Sequence, residues 1–135
     1  MSDITRTATA VADVQPLKTS KHPFQAAVDI SAGQPLYVDA NGKANLADAN
    51  GSAPANAYYI GIAMQTVKAG QIVSVAWNGD FVGYDLSGLA YGDPVYVSNT
   101  AGELANAAGT ATIKVGEVWP MSDPDKSKVL HLTRV

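Results

Sequence analysis

Residues 59–84 read YIGIAMQTVKAGQIVSVAWNGDFVGY, and this stretch decides the fold class. Val73, Val75 and Trp77 alternate with smaller or polar residues, which is the two-residue period of a half-buried strand. Asn78-Gly79 is typical of a two-residue hairpin turn, because both turn positions need a positive φ. The stretch therefore predicts three consecutive strands, at about residues 59–64, 71–77 and 80–84.

The rest of the chain carries more short apolar runs separated by glycine, proline and asparagine, which favours many strands over long helices. Further strands are predicted at residues 24–30, 36–38, 95–97, 112–119 and 129–135. The alanine-rich stretches 43–57 and 103–109 are interpreted as surface excursions. We therefore expect an all-β protein, a small barrel or sandwich of short antiparallel strands, in a single domain at residues 24–135.

One motif occurs twice, which predicts an internal repeat. The copies are GQPLYV at residues 33–38 and GDPVYV at residues 92–97, each followed by a glycine, an alanine-rich stretch and a strand containing glycine. The match reflects either a duplication or two independent uses of common turn chemistry. The proline opens a strand, and the mid-strand glycine indicates a bulge or a close backbone approach. The predicted turn and bulge positions are Gly33, Pro35, Asn41, Gly42, Gly61, Asn78, Gly79, Gly92, Pro94 and Gly116.

Residues 1–23 differ from the rest, being rich in Thr, Ala, Ser and Asp, with Pro16 blocking a continuing helix. Alone, such a segment buries little apolar surface. We therefore expect an extended N-terminal arm that packs weakly on the core and becomes ordered when it binds another chain. Removal of residues 1–18 should then leave the domain folded but weaken binding to the partner. The arm side chains expected to contact the partner are Ile4, Arg6, Val11, Val14 and Leu17.

Composition narrows the classes of function. The formal charge of −3 and the scattered Lys and Arg residues argue against a nucleic-acid partner, which requires a basic patch. The absence of cysteine excludes disulfides and thiolate metal sites. The first ten residues lack the apolar core of a signal peptide, and no apolar run is long enough to span a bilayer. We expect a soluble protein with no nucleic-acid or membrane partner.

Candidate chemical groups favour structural roles. His22 and His131 are isolated, which does not resemble a metal site, and residues 39–42 form only a fragment of a calcium loop. Aspartates in turns usually cap their own backbone, and this interpretation applies to Asp80, Asp85, Asp93, Asp123 and Asp125. We therefore expect no catalytic residue, metal or cofactor. The aromatic residues suit either a core or a face that binds sugar or protein, and they are Tyr37, Tyr58, Tyr59, Tyr84, Tyr91, Tyr96, Trp77 and Trp119.

The order of these features resembles that of bacteriophage head decoration proteins, also called capsid cement proteins. The resemblance covers about residues 24–135. It rests on the order and spacing of AGQPLYV (32–38), YIGIA (59–63), AGQIVSV (69–75), NGDFV (78–82), GDPVYV (92–97), Gly102 and VGEV (115–118).

The resemblance implies a β-rich protein that is made in the host cytoplasm and sits on the outer surface of the virion's icosahedral head. Its expected partners are the major capsid protein, whose neighbouring subunits it would bridge, and further copies of itself in a homotrimer. Two other functions remain open. One is a carbohydrate-binding or adhesion module of a phage or bacterial surface structure, and the other is a non-catalytic domain that belongs to an enzyme.

Overall fold

The computed structural model describes residues 3–14, 19–120 and 128–133. In these residues two antiparallel β-sheets pack against each other as in a sandwich, which confirms the all-β prediction. The strands are β1 (Ala12–Asp13), β2 (Lys21–Gln25), β3 (Pro35–Val38), β4 (Ala44–Leu46), β5 (Tyr59–Ala63), β6 (Ile72–Ala76), β7 (Asn78–Val82), β8 (Pro94–Val97), β9 (Leu104–Ala105), β10 (Lys114–Pro120) and β11 (Lys128–Thr133). Within the described ranges the helical element is a three-residue 3₁₀ turn, and no helix there is long or apolar enough to cross a membrane.

The strand order of the two sheets reveals the internal repeat. The five-stranded sheet has the order β2-β6-β5-β3-β4, and the six-stranded sheet has the order β1-β7-β11-β10-β8-β9. Adding five to each strand number of the first sheet gives β7-β11-β10-β8-β9, which is the second sheet without β1. The chain therefore contains two structurally equivalent units, a first unit (β2 to β6) and a second unit (β7 to β11), as the repeated motif predicts.

The register across the central strands also repeats, including its irregularity. Leu36 faces Gly61 in the first unit, and Val95 faces Gly116 in the second. In each unit the next aligned pair skips one residue of the strand that carries the glycine, so that each glycine lies beside a β-bulge. The predicted bulges are thus confirmed at matching positions.

The turns that open β3 and β8 match as well. Gly33 has a φ of 89° and Gly92 a φ of 88°, values that side chains other than glycine rarely adopt. The Gly33 amide donates to the Ala63 carbonyl at 2.8 Å, and the Gly92 amide donates to the Val118 carbonyl at 2.7 Å. Each turn therefore closes onto the end of the glycine-bearing strand, and Pro35 and Pro94 begin the strands that follow, as predicted.

The predicted turn at Asn41-Gly42 is confirmed, because it joins β3 to β4 in a hairpin. The predicted hairpin at Asn78-Gly79 is wrong. Asn78 and Gly79 belong to β7, which pairs with β11 in the other sheet, so the chain passes between the sheets at Trp77. This pairing buries Phe81 completely, which stabilises the fold by roughly 1.5–3 kcal/mol. Of the three predicted neighbouring strands, only β5 and β6 are adjacent.

The alanine-rich stretches are surface excursions only in part, since residues 50–57 form turns with no buried residue but the remainder enters the fold. They contain β4 and β9, and Ala44, Ala47, Ala49 and Ala105 are fully buried. Their small side chains let the two units approach closely: the Ala49 amide donates to the Ser98 carbonyl at 3.0 Å. Alanine is poor in β-propensity, but here the close contact between backbones decides the structure.

The N-terminal segment, residues 3–14, packs on the second unit, so the expectation of a weakly packed arm is wrong. Ile4 is only 6% exposed and belongs to the core shared by the two sheets. Backbone bonds attach the segment along its length, among them Ile4 N to Leu104 O, Thr7 N to Gly83 O, and Val14 N to Asp80 O, at 2.8, 2.8 and 2.9 Å. These backbone hydrogen bonds hold the N-terminal segment on the second unit although its sequence contains few apolar side chains.

Candidate binding surface

Three side chains from neighbouring strands of the six-stranded sheet form a cluster on its outer face. Asp80 on β7 faces His131 on β11, and the aspartate Oδ1 lies 2.6 Å from the imidazole Nδ1. The indole of Trp119 on β10 lies flat on this imidazole, with the ring centroids 3.5 Å apart and the planes 5° apart. The imidazole is thus held on two sides, and the stack sets the plane of the indole.

A second aromatic ring lies on the adjoining chain segment. The Gly92 amide bonds to the Val118 carbonyl at 2.7 Å, which brings Tyr91 beside the strand that carries Trp119. The Lys128 ammonium lies 5.4 Å from the centroid of the Tyr91 ring, a cation–π distance, and also donates to the Leu89 carbonyl. Asp80, Trp119 and His131 are called the aromatic patch below, and Tyr91 with Lys128 lies on the neighbouring chain segment.

The aromatic patch combines an exposed ring with charged groups. Trp119 is 44% exposed, as is Tyr91 on the neighbouring chain segment. Glu117 faces His131 from the side opposite Asp80, and its Oε2 lies 3.6 Å from the Lys114 ammonium. The patch can therefore stack on an apolar or planar surface and also make hydrogen bonds, which are the two properties that interfaces combine.

A further exposed aromatic residue, Tyr58, belongs to the first unit. It is 59% exposed and borders an open, mainly apolar cleft of about 500 Å³. The cleft is lined by Val38, Asp39, Ala40, Ala53, Pro54 and Tyr58. Asp39 is the one charged side chain in this lining, so the cleft offers a ligand fewer hydrogen bonds and ion pairs than the aromatic patch does.

The arm residues predicted to contact a partner mostly contact this chain instead. Ile4 is buried, and the Arg6 guanidinium Nη1 pairs with Glu103 Oε2 at 2.9 Å. The backbone of Val11 lies against Gly83, Val14 bonds to β7, and Leu17 lies outside the described residues. In this conformation Ile4 is not available to a partner, because its side chain fills the core.

The remaining candidate groups have structural contacts. Asp85 accepts bonds from the Ser87 hydroxyl and amide, which hold the pKa of its carboxyl below the ordinary value. Asp93 accepts the Ala90 amide at 2.8 Å, as expected of a turn cap, while Asp123 and Asp125 lie outside the described ranges. His22 on β2 makes an edge contact with Phe24, with the ring centroids 5.0 Å apart. Across residues 3–14, 19–120 and 128–133, no three His, Cys, Asp or Glu residues are grouped to hold a metal ion.

The association of Asp80, His131 and Trp119 is not predicted from the sequence. Asp80 and His131 are far apart in the chain and meet only because β7 pairs with β11. The wrong hairpin at Asn78-Gly79 placed Asp80 beside β6 and so concealed the contact. The repeated motif did not reveal the contact, because the equivalence of residues 78–82 to residues 21–25 appears only in the strand order of the structure.

No family model matches the chain, and no curated protein shows significant similarity to it.

Tyr84 lies where the N-terminal segment meets both units, and it supports a pH prediction. Its hydroxyl donates to the Gly33 carbonyl at 2.7 Å, and burial raises the pKa of this hydroxyl above its ordinary value of 10.0. The unfolded chain loses this proton near the ordinary value, whereas the folded chain keeps it. The stability that the group contributes is therefore complete below about pH 10 and is lost as the pH rises above it.

We expect Tyr84→Phe to lower the free energy of unfolding by about 1 kcal/mol at neutral pH, because the bond to Gly33 is lost. Above about pH 10 the difference from the wild-type protein should shrink, because phenylalanine has no proton to lose. Urea unfolding between roughly pH 8 and pH 11 measures both effects. Tyr58→Phe, at an exposed tyrosine, is the control. A difference that stays constant across this range would contradict the prediction.

Proposed function

We propose that this protein is a structural component of a bacteriophage virion that binds the outer surface of the icosahedral head. There it bridges neighbouring major capsid subunits and stabilises the shell, without catalysing a reaction. The resemblance of residues 24–135 to head decoration proteins supports the identity of the partner. The single observation that carries the contact surface is the aromatic patch, in which the indole of Trp119 is 44% exposed and is held in orientation by its stack on His131.

The patch has the physical properties of a protein-binding surface. Tryptophan and tyrosine are enriched among the residues that contribute most to interface affinity. The ring of Trp119 is already held by His131, so little side-chain entropy is lost when a partner covers it. Many copies on one shell would multiply a modest affinity per copy. The two sheets and their shared core supply a rigid support for this surface.

Trp119→Ala is the most direct test of the patch. We expect its affinity for expanded heads to fall by at least about tenfold, because truncation of a central aromatic anchor typically costs 2 kcal/mol or more. Cosedimentation of the purified protein with heads that lack it measures the affinity. The wild-type protein should sediment with expanded heads and not with immature shells.

Tyr58→Ala is the matched control, since it removes an aromatic ring of similar or greater exposure from the first unit. It should bind heads as the wild-type protein does. If Trp119→Ala retains full affinity while its circular dichroism is unchanged, the patch is not the contact surface. If the wild-type protein fails to sediment with any head, the proposed function is wrong.

The aromatic patch also favours a second candidate function, a carbohydrate-binding or adhesion module. An exposed indole of fixed orientation with Asp80 and Glu117 nearby offers a stacking surface and hydrogen-bond acceptors for a sugar ring. Binding of the isolated protein to a glycan array, abolished by Trp119→Ala, would support this function. Sedimentation with heads and no glycan binding would support the first.

A further inference from the structure

The open cleft that Tyr58 borders, called the Tyr58 cleft here, has a counterpart in the second unit. It lies between the turn that joins β3 to β4 and the segment that leads into β5, where the Val38 amide donates to the Tyr58 carbonyl at 3.2 Å. At the same position of the repeat, the Val97 amide donates to the Ile113 carbonyl at 2.9 Å. The turn that joins β8 to β9 and the segment that leads into β10 therefore border the equivalent space.

In the second unit, residues 47–50 of the first unit fill this space. The Ala49 amide donates to the Ser98 carbonyl at 3.0 Å, and the Gly102 amide donates to the Ala47 carbonyl at 2.9 Å. The Ala49 carbonyl accepts an amide from the segment that leads into β10, at 2.9 Å. Ala47 and Ala49 are fully buried. The second unit thus binds a short peptide segment through its backbone and through two small apolar side chains.

The Tyr58 cleft is open where its counterpart is filled. Gly42 and Gly102 hold matching turn positions, with φ values of 75° and 77°. A Cβ added to Gly102 would meet Gln34 at 2.7 Å and Leu46 at 3.2 Å, both from the first unit. A Cβ added to Gly42 would meet no atom within 4 Å, and Tyr58 is 59% exposed. The first unit therefore presents in open form the site that the second unit closes with a peptide segment.

The chemistry of the Tyr58 cleft fits a segment with small, uncharged side chains. Four apolar residues and the ring of Tyr58 form most of its lining. Asp39 is the charged residue of the lining, and its Oδ1 accepts the amides of Asn41 and Lys43 at 2.9 and 3.0 Å. An acidic segment would be repelled by this carboxylate. Small apolar side chains would instead be buried against the walls, as the two alanines are in the second unit.

The outer face of the second unit favours a separate polypeptide over a second copy of this chain as the occupant. Ile62 faces Ala76, and both are buried in the core that the two units share. In the register of the repeat this pair corresponds to Glu117 and His131. The second unit's counterpart of residues 47–50 therefore lies beside ionisable side chains, which a second copy would have to bury at a cost in free energy.

We propose that the Tyr58 cleft is a second binding site of this protein, which takes a short segment with small, uncharged side chains from a partner polypeptide. Pro54 and Tyr58 form one wall of the site, and the turn that joins β3 to β4 forms the other. This site is separate from the aromatic patch, which lies on the second unit. The proposal therefore does not depend on the capsid-binding function.

NMR titration of the isotope-labelled full-length protein with a peptide tests the site. The peptide is blocked at both ends and has the sequence of residues 46–51 with Asp48→Asn, so that it carries no charge. We expect saturable shift changes at the amides that line the Tyr58 cleft. Tyr58→Ala should weaken peptide binding by at least about fivefold, because one wall of the site is lost. Tyr91→Ala, which removes an exposed ring outside the cleft, should bind the peptide as the wild-type protein does.

Three results would overturn the proposal. The first is the absence of shift changes in the cleft of the folded wild-type protein, or equal peptide binding by a folded Tyr58→Ala variant. The second is a set of shift changes at residues 98–102, because the peptide would then compete with the chain's own segment. The third is a wild-type oligomer in sedimentation velocity that Tyr58→Ala dissociates, because the occupant would then be a second copy. No heads are present in these experiments, so a negative result leaves the capsid-binding proposal standing.

Discussion

A chain that lacks residues 1–14 is expected to lose the folded second unit. The deletion removes the buried Ile4, the Arg6–Glu103 ion pair and the backbone bonds to β9 and β7. Truncating a buried isoleucine to alanine alone costs about 2–5 kcal/mol. A typical domain has a free energy of unfolding of only about 5–15 kcal/mol. The loss of all these contacts together is therefore comparable with the whole stability of the domain. The sequence alone suggests that residues 1–18 can be removed without unfolding the domain. The structure predicts instead that removing this segment unfolds the second unit.

Urea unfolding followed by circular dichroism and by tryptophan fluorescence measures this effect. Point variants show how much of this effect comes from one buried side chain and how much from deleting the whole segment. Ile4→Ala should lower the free energy of unfolding by about 2–5 kcal/mol. Thr5→Ala, at the exposed neighbouring position, should lower it by less than about 0.5 kcal/mol. Equal stability of Ile4→Ala and Thr5→Ala would show that the segment does not pack as described.

Gly61→Ala and Gly116→Ala are expected to be the most destabilising single substitutions in the repeat. A Cβ on Gly61 would overlap the carbonyl oxygen of Ala76, and a Cβ on Gly116 would overlap that of His131. Both obstacles are backbone atoms of the neighbouring strand, so no side-chain rotation relieves the clash. Gly61 also has a φ of 143°, which disfavours a side chain. We expect each substitution to cost at least about 3 kcal/mol.

Gly88→Ala provides the control, because a Cβ there would meet no atom within 4 Å. It should change the midpoint of thermal unfolding little, whereas the two strand glycines should lower it strongly or prevent folding. If Gly61→Ala and Gly116→Ala differ greatly in effect, the two units are less equivalent than their shared register indicates. Wild-type stability in either variant would contradict the close backbone approach.

The sequence predicts the fold class and the repeat because both depend on local signals. Alternating apolar residues mark the strand that contains Val73 and Val75, and the Gly-x-Pro turns mark where β3 and β8 begin. These signals act within a few residues, so one sequence displays them. The match between the copies extends to the strand register and to the bulges beside Gly61 and Gly116.

The parts that sequence analysis missed depend on contacts between distant residues. The Asn78-Gly79 turn preference was overridden by the burial of Phe81 in the second unit. The alanine stretches gave no apolar pattern, because their burial comes from backbone approach between the units. The aromatic patch exists only through the pairing of β7, β11 and β10, so its three key side chains are unrelated in the sequence.

These differences change where a partner is expected to bind. The N-terminal segment supplies a strand to the second unit, and under the proposed function the face that bears Trp119 is the surface expected to contact the capsid. Substitutions in the aromatic patch should then affect head binding alone, while substitutions in the N-terminal segment should affect folding.

Electron cryomicroscopy of expanded heads saturated with the purified protein tests the capsid-binding proposal most directly. We expect added density on the outer surface that spans neighbouring major capsid subunits, with the face bearing Trp119 turned toward the shell. A reconstruction identical to that of bare heads would contradict the account, and so would attached protein whose aromatic patch points into solvent.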